Sequence, residues 1–302
     1  MRRVLMLRTS WILGFVAVIG GCNATDDSRP SWCEGTPTFR EGVAIYGDGG
    51  LRTLACITTI GRHGLRIEGT PGGNAADSDT IDLPALKSVE GGLSITRDGL
   101  TTINMPALIS VKGFIEILGG EDNSLKNINM PVLTTVGGLS IHYAWALTNV
   151  EFPELSTVTF SLELSRMISL TSLNLPALAS VGGSIDFRNN RALTTFSLPG
   201  LMTIDGSLII QTDRGYENFE LTTIEFPQLT TIGKDLHVHP GEGDGHTALT
   251  TLALPAIKSV GGNIDISSNP ALCQSIVDAI LAGLQTNGFD GESEICCNLD
   301  GC

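Results

Sequence analysis

The chain has 302 residues, with 18 lysines and arginines against 32 aspartates and glutamates, and its formal net charge is −14. Such an acidic balance argues against nucleic acid as a partner, because nucleic-acid binding needs clustered lysine and arginine. The length is ample for one elongated domain.

The first residues have the layout of a secretory signal. Arg2, Arg3 and Arg8 give a positive start, an apolar run follows over 11–19, and small residues precede Cys22. The apolar run is too short to span a bilayer, which needs about 20 residues. Residues 19–22 (IGGC) resemble the bacterial lipobox, whose cysteine is lipidated and becomes the new N-terminus.

This resemblance predicts a lipoprotein signal peptide over 1–21 and a lipidated tether over 22–32, with Cys22 as the lipidation site. The alternative is an ordinary secretory signal that is cleaved near by. Asn23 follows the cysteine, whereas an aspartate there would retain an enterobacterial lipoprotein at the inner membrane. We therefore expect export across the inner membrane and lipid anchoring in the cell envelope, at the outer membrane.

The seven cysteines flank the repeats, and none lies between Cys56 and Cys273. If Cys22 carries lipid, six remain, an even number that fits three disulfides in an oxidising compartment. At the N-terminal end we expect Cys33 to pair with Cys56.

The C-terminal cysteines leave two pairings open. We expect Cys273 to join Cys296 or Cys297, and the remaining one of these two to join Cys302. A zinc site is the alternative for this cluster, but its spacing lacks the usual pair of CxxC motifs.

One phrase, apolar–Pro–x–apolar–x–(Ser/Thr)–(Val/Ile), recurs eight times at intervals of 22 to 28 residues. A period in this range indicates a solenoid, in which a single coil cannot bury its apolar face alone. The prolines of the phrase are Pro84, Pro106, Pro131, Pro153, Pro176, Pro199, Pro227 and Pro255. The β-branched residues that end it are Val89, Val111, Val136, Val158, Val181, Ile204, Ile232 and Val260.

After each phrase a bend, usually rich in glycine, leads into an alternating segment such as 93–95 (LSI) or 208–210 (LII). Alternation with period two predicts a strand with one face inward. The coils are too short for a helix as well as two strands, so we expect parallel strands that stack coil on coil. A divergent coil at 54–67, with Ala55 in place of the proline, brings the predicted number to about nine.

The end of the chain predicts a cap over 269–302. Asn269 and Pro270 are typical of a helix start, and Asn287 with Gly288 is typical of a helix stop. The residues between them carry one apolar stripe at helical spacing, which suits a short capping helix over the last coil.

Taken together, the repeated LPxL, (S/T)(V/I), GG and LxI motifs and the cysteines at both ends resemble the receptor L domain, a leucine-rich β-helix module of receptor ectodomains. The likeness covers residues 33–302. It implies an all-β fold, a right-handed parallel β-helix or leucine-rich-repeat-like solenoid, and extracellular recognition. The corner at 159–161 (TFS) departs from the repeat, where a glycine bend is expected.

Four coils carry longer loops at the same position of the repeat, after the last strand, and these loops are 68–80, 118–124, 211–220 and 240–247. Equivalent positions of successive coils stack on one edge of a solenoid, and such an edge is often its binding surface. The candidate ligand-binding residues in or beside this slot are Tyr143, Trp145, Tyr216 and Phe219. The alternative is that these aromatic rings cover the surfaces of neighbouring coils.

His237 and His239 alternate on one strand face, and His246 follows in a glycine-rich loop. This set is the best candidate for a zinc or copper site. The alternative is that polar, glycine-rich loops collect such residues without binding a metal. We expect no cofactor.

The sequence carries no GxSxG elbow, no Walker loop and no HExxH. The strand-face acids Glu116, Glu163, Asp186 and Asp265 lie in different coils. We therefore expect a protein that is not an enzyme: a lipid-anchored module for binding or adhesion, whose partner is a protein or a surface polymer. The alternatives are a structural envelope component without a discrete ligand, and a β-helix enzyme that processes polysaccharide.

Overall fold

The computed structural model describes residues 38–40, 42–46, 54–69, 79–119, 124–212, 220–239 and 246–302. The predicted signal peptide and tether, Cys22, Cys33, Tyr216 and Phe219 lie outside the described residues. No helix within the described ranges is both long enough and apolar enough to cross a membrane.

The described residues form an all-β solenoid of parallel strands with one short helix at the C-terminal end. Each coil places its strands beside the equivalent strands of the next coil, and every pairing between described strands is parallel. The predicted solenoid is confirmed. The strands form three files that run along the stack.

The first file holds the hydroxyl and β-branched residues of the repeated phrase. Its short strands are β1 (Thr38–Phe39), β3 (Thr59–Ile60), β6 (Ser88–Val89), β13 (Thr157–Val158), β16 (Ser180–Val181), β19 (Thr203–Ile204), β22 (Thr231–Ile232) and β25 (Ser259–Val260). Two longer strands run through both the first and the second file, and they are β9 (Ser110–Gly119) and β11 (Thr135–His142).

The second file holds the alternating segments that follow the bend. Its strands are β2 (Val43–Tyr46), β4 (Leu65–Glu68), β7 (Leu93–Arg97), β14 (Leu162–Ser165), β17 (Ile185–Arg188), β20 (Leu208–Gln211), β23 (Leu236–His239), β26 (Ile264–Asp265) and β27 (Ser293–Glu294).

The third file lies just before the prolines and was not predicted. Its strands are β5 (Thr80–Asp82), β8 (Thr102–Asn104), β10 (Asn127–Asn129), β12 (Asn149–Glu151), β15 (Ser172–Asn174), β18 (Thr195–Ser197), β21 (Thr223–Glu225) and β24 (Thr251–Ala253). Each has three residues and one central apolar side chain, too few to show a period. The file is divided into three separate sheets.

The core is a set of like residues stacked on like. The leucines two positions after the proline, among them Leu108, Leu133, Leu155 and Leu178, are fully buried in one continuous cluster. Burial of apolar surface contributes roughly 25 cal/mol per Å², so this cluster is the main stabilising term of the fold.

The stack extends one coil further towards the N-terminus than predicted. Strand β1 pairs with β3 and β2 pairs with β4, both in register, so ten coils stand within the residues that the structure describes. Residues 38–46 lack the proline phrase, which is why the repeat alignment did not reach them.

The irregular corner at 159–161 is filled by aromatic rings. Phe160 stands where other coils have a glycine, and its ring stacks on Phe114 with the centroids 5.7 Å apart. The ring of Phe114 lies across Gly138 in the intervening coil, where a Cβ atom would be 2.3 Å from a ring carbon. At this corner a stacked pair of aromatic rings thus replaces the glycine bend of the repeat.

The C-terminal end of the stack is covered by β27 and by helix α1 (Gln274–Thr286). Val277 and Leu284 are buried, and Ile276, Ile280 and Leu281 pack against the core. The helix stops at Asn287 and Gly288, as predicted, with Gly288 at a φ of +93° that favours glycine.

The predicted helix start was wrong. The helix begins at Gln274, after Cys273, because Asn269 has another role. The Asn269 side chain is fully buried and donates from Nδ2 to the carbonyls of Val238 and Ser267, both at 2.9 Å.

The C-terminal disulfide also differs from the predicted pairing. Cys273 is bonded to Cys302, and their Cα atoms are 5.8 Å apart, while Cys296 and Cys297 are exposed free thiols. A parallel bridge between Cys273 and Leu299 lays the chain end beside the start of the helix, which brings Cys302 into range. Cys56 is disulfide-bonded as predicted, but its partner lies outside the described residues.

The close approach of successive corners predicts a sharp difference between two glycine-to-alanine substitutions. A Cβ at Gly182 would lie 2.2 Å from the carbonyl oxygen of Thr159, whereas no atom lies within 4 Å of a Cβ at Gly283 in helix α1. We expect Gly182→Ala to destabilise the fold by ~1–3 kcal/mol. The control Gly283→Ala should stabilise the helix by about 0.5–1 kcal/mol.

The free energy of unfolding in urea checks this pair of variants. Equal stabilities for Gly182→Ala and the parent protein would contradict the close stacking of the corners.

Candidate functional site

The outward side chains of the second file form two straight rows, which together we call the polar strand face. They alternate with the buried residues of the same strands, so strand register places equivalent residues side by side. The first row is Ala44, Arg66, Ser94, Glu116, Ser140, Glu163, Asp186, Ile209, His237, Asp265 and Glu294. The second row is Tyr46, Glu68, Thr96, Leu118, His142, Ser165, Arg188, Gln211 and His239.

All four strand-face acids fall in the first row. Register places Glu163 directly beside Asp186 in the next coil. Ser140 separates Glu116 from Glu163, and two positions separate Asp186 from Asp265. Of these four acids Glu163 and Asp186 are adjacent to each other, and Asp265 has Glu294 as its neighbour in the next coil.

A cleft of about 270 Å³, which we call the central cleft, lies at the middle of the polar strand face. Its walls carry imidazole, carboxylate, guanidinium, hydroxyl and amide groups. The lining residues are His142, Glu163, Ser165, Arg166, Asp186, Arg188 and Asn189. A cleft with this mixture of groups suits a polar ligand.

Charged groups in the central cleft are held by their neighbours. Nε of Arg188 donates to Oδ1 of Asp186 at 2.5 Å. Nε2 of His142 lies 3.5 Å from Oε2 of Glu163, and Nδ1 of His142 contacts the Ser165 hydroxyl. These contacts fix the orientation of the lining groups before any ligand arrives.

Tyr143, a predicted ligand-binding residue, lies at the rim of the central cleft. It is exposed, and its hydroxyl accepts a hydrogen bond from Arg166, whose guanidinium carbon is 5.0 Å from the ring centroid. Tyr143, Arg166 and Asn189 share a left-handed backbone, with φ from 57° to 58°, because each follows the end of a second-file strand. The repeated corner thus places these three residues at equivalent positions in successive coils.

Trp145 is half-buried, and its indole Nε1 is buried without a hydrogen-bond partner in the part of the chain that the structure describes. This placement fits the alternative interpretation, in which the ring covers neighbouring coils. Sequence analysis missed Arg166, Arg188 and Asn189. Their shared position could have identified them, because Arg188 ends a second-file strand and Arg166 and Asn189 each directly follow one.

His237 and His239 lie on the polar strand face as predicted, but their partner is Asp265. One ligand atom from each of these three side chains lies within 4.8 Å of the other two. Nε2 of His239 is 3.5 Å from Oδ2 of Asp265. Burial lowers the pKa of His239, although the nearby Asp265 carboxylate opposes that shift.

Asp235 precedes these histidines but has a structural role. Its Oδ1 accepts the backbone N–H of Asn263 at 2.9 Å, and its Oδ2 accepts the hydroxyl of Ser207 at 3.2 Å. The hydrogen bond from Asn263 is the main cause of a lowered pKa for this carboxyl group. Asp235 stands 4.0 Å from Nε2 of His237.

His246 does not join the other two histidines, and its prediction as a metal ligand was wrong. Its side chain is fully buried, and Nε2 donates to the carbonyl of Ile210 at 3.1 Å. Desolvation by burial lowers the pKa of His246 to about 4, so the ring is neutral at pH 7.

His246 occupies a slot that asparagine fills in other coils. Buried asparagine side chains donate in the same way to the carbonyl of the preceding coil, from Asn190 to Leu164 at 2.9 Å and from Asn298 to Ile266 at 2.8 Å. Each bond satisfies a backbone acceptor that would otherwise be buried without a partner. The histidine is therefore part of the fold.

The four predicted loops each follow a residue of the second row of the polar strand face. The second-row residues before them are Glu68, Leu118, Gln211 and His239. Most of the loop residues lie outside the described ranges.

Comparison with known proteins gives this chain no relative: no family model, no curated protein and no solved structure matches it. The resemblance to the receptor L domain stays a prediction that is carried by the repeat and the cysteines. The function therefore has to be inferred from the geometry of the polar strand face.

The buried, neutral His246 predicts a pH-dependent loss of stability that asparagine should remove. An imidazole with a folded pKa of about 4 favours the native state fully above the ordinary value of 6.5 and loses that contribution as the pH falls towards 4. Between pH 7 and pH 5 the loss amounts to about 2 kcal/mol. In His246→Asn the amide replaces the imidazole as donor to Ile210 and does not titrate.

Urea unfolding of the parent protein and of His246→Asn at pH 7 and pH 5 measures the difference. His63→Asn, at an exposed position, is the control for removal of an imidazole that is not buried. If the free energy of unfolding fell by the same amount between pH 7 and pH 5 in the parent and in His246→Asn, the result would contradict a buried, neutral imidazole at position 246.

Proposed function

We propose that this chain is an exported, lipid-anchored protein of the cell envelope that binds a surface polymer or another protein through its polar strand face, without catalysis. The observation that carries this proposal is the central cleft, where register gathers polar groups from three successive coils. The lipid would tether the solenoid to the membrane, and the acidic surface would keep its body in solution.

The rigidity of the strands supports a binding role. Parallel pairing fixes the spacing of successive side chains at about 4.8 Å, so the cleft needs little reorganisation on binding. Arg166 and Arg188 offer planar donors for hydroxyl, carboxylate or phosphate oxygens, and Tyr143 offers a ring at the rim. A polymer that runs along the stack would meet the same rows of groups over several coils.

In the central cleft, the adjacent carboxylates of Glu163 and Asp186 favour a polysaccharide-processing enzyme. A glycosidase needs one carboxylic acid that stays protonated, which burial provides. The side chain of Glu163 is 40% exposed and Asp186 is engaged by Arg188. Neither group has the dry surroundings of a general acid, so we favour binding over hydrolysis.

Saturation binding of the labelled protein to envelope fragments of its source cells tests the proposal. We expect Arg166→Ala with Arg188→Ala to weaken binding at least about tenfold, because charge-assisted hydrogen bonds in the central cleft are lost. The charge-matched control is Lys87→Ala with Lys258→Ala, which removes two exposed lysines outside the polar strand face and should leave the affinity unchanged.

Equal weakening in both double variants would contradict a role for the central cleft. Absence of saturable binding would favour a structural component. Release of sugar fragments that stops in Glu163→Gln would favour an enzyme. Metabolic labelling with palmitate checks the anchor, because Cys22→Ser should abolish the label.

A further inference from the structure

Two histidines and one aspartate converge at the C-terminal part of the polar strand face, apart from the central cleft. Strands β23 and β26 pair in register, with His237 directly beside Asp265. His239 lies two residues further on the same face of β23, and its ring centroid is 5.6 Å from that of His237. Paired backbones therefore hold all three side chains.

We propose that His237, His239 and Asp265 form a binding site for a divalent transition metal ion, with zinc as the ion that fits best. Two imidazoles and one carboxylate are a ligand set that zinc accepts, with solvent in the fourth position. The proposal goes beyond partner binding in the central cleft and does not depend on it.

The distances suit a tetrahedral ion after small side-chain rotations. Zinc bonds of about 2.0–2.1 Å place neighbouring ligand atoms about 3.4 Å apart. Nε2 of His239 and Oδ2 of Asp265 already stand 3.5 Å apart, and all three ligand atoms lie within 4.8 Å of one another.

The hydrogen bonds around the site leave one carboxylate oxygen of Asp265 and one ring nitrogen of His237 available as metal ligands. The hydroxyl of Ser267 donates to Oδ1 of Asp265 at 2.6 Å, which orients the carboxylate and leaves Oδ2 towards His239. Nδ1 of His237 is buried and has no hydrogen-bond partner among the described residues. This histidine therefore has a ring nitrogen that the fold does not use.

Gln211 competes with a metal ion for a ligand atom of His239. Its amide nitrogen lies 2.6 Å from Nε2 of His239, where it donates to the neutral ring. An incoming metal ion takes the lone pair of Nε2 and displaces this amide. The side chain of Gln211 is therefore expected to weaken metal binding, and its removal should not harm the site.

Calorimetric titration of the purified protein with zinc chloride tests the proposal. The free thiols of Cys296 and Cys297 would bind zinc themselves, so both are replaced by serine in every protein that is titrated. We expect one zinc ion per chain and a rise in the melting temperature with zinc. His237→Ala, His239→Ala and Asp265→Asn should each weaken the affinity at least about tenfold.

Three further variants separate this site from other histidines. His142→Ala is the matched control, because His142 also stands 3.5 Å from a carboxylate on the same face. His142→Ala and His246→Asn should leave the stoichiometry and affinity unchanged, and Gln211→Ala should bind zinc at least as tightly as its parent.

Absence of saturable zinc binding in the serine-substituted parent would overturn the proposal. The same holds if the protein with both His237→Ala and His239→Ala keeps one ion per chain with unchanged affinity. Circular dichroism of each variant checks that it is folded, and the zinc-dependent rise in melting temperature gives a second readout.

Discussion

In-register pairing of parallel strands is the constraint on which the rest of this structure depends. Side chains alternate along a strand, so a slip of one residue would turn Leu162 and Leu164 to solvent and bury Glu163 in their place. The same register that stacks the apolar residues also stacks the polar ones. The dry core and the polar strand face are therefore two consequences of one pairing pattern.

Buried polar groups complete this arrangement. Backbone carbonyls in or just after the second-file strands take a donor from the next coil, and a buried unpaired carbonyl costs about 1–3 kcal/mol. Asn190, Asn269 and Asn298 each donate a side-chain N–H to such a carbonyl in the preceding coil, and His246 does so from its ring. These interior hydrogen bonds explain why polar residues occur at fully buried positions.

Much of the fold could be predicted because its signals are repeated and local. The second-file strands, the stacked leucines and the capping helix all follow from periodicity. The third file was missed because three residues with one apolar side chain carry no period. The pairing of Cys273 with Cys302 and the partnership of His239 with Asp265 depend on register between distant segments. His246 looked like a ligand because sequence does not distinguish a buried donor from an exposed one.

The stacked register is tested most directly by distances between spin labels on the first row of the polar strand face. Ser94 and Asp186 are four rungs apart, and Ser94 and Asp265 are seven rungs apart. Cys296 and Cys297 are replaced by serine, and spin labels are attached to cysteines introduced at these positions. Electron–electron double resonance should then give a distance of about 19 Å for the first pair and about 34 Å for the second pair. Distances that do not increase in proportion to the number of rungs would contradict the solenoid register and, with it, both proposed sites.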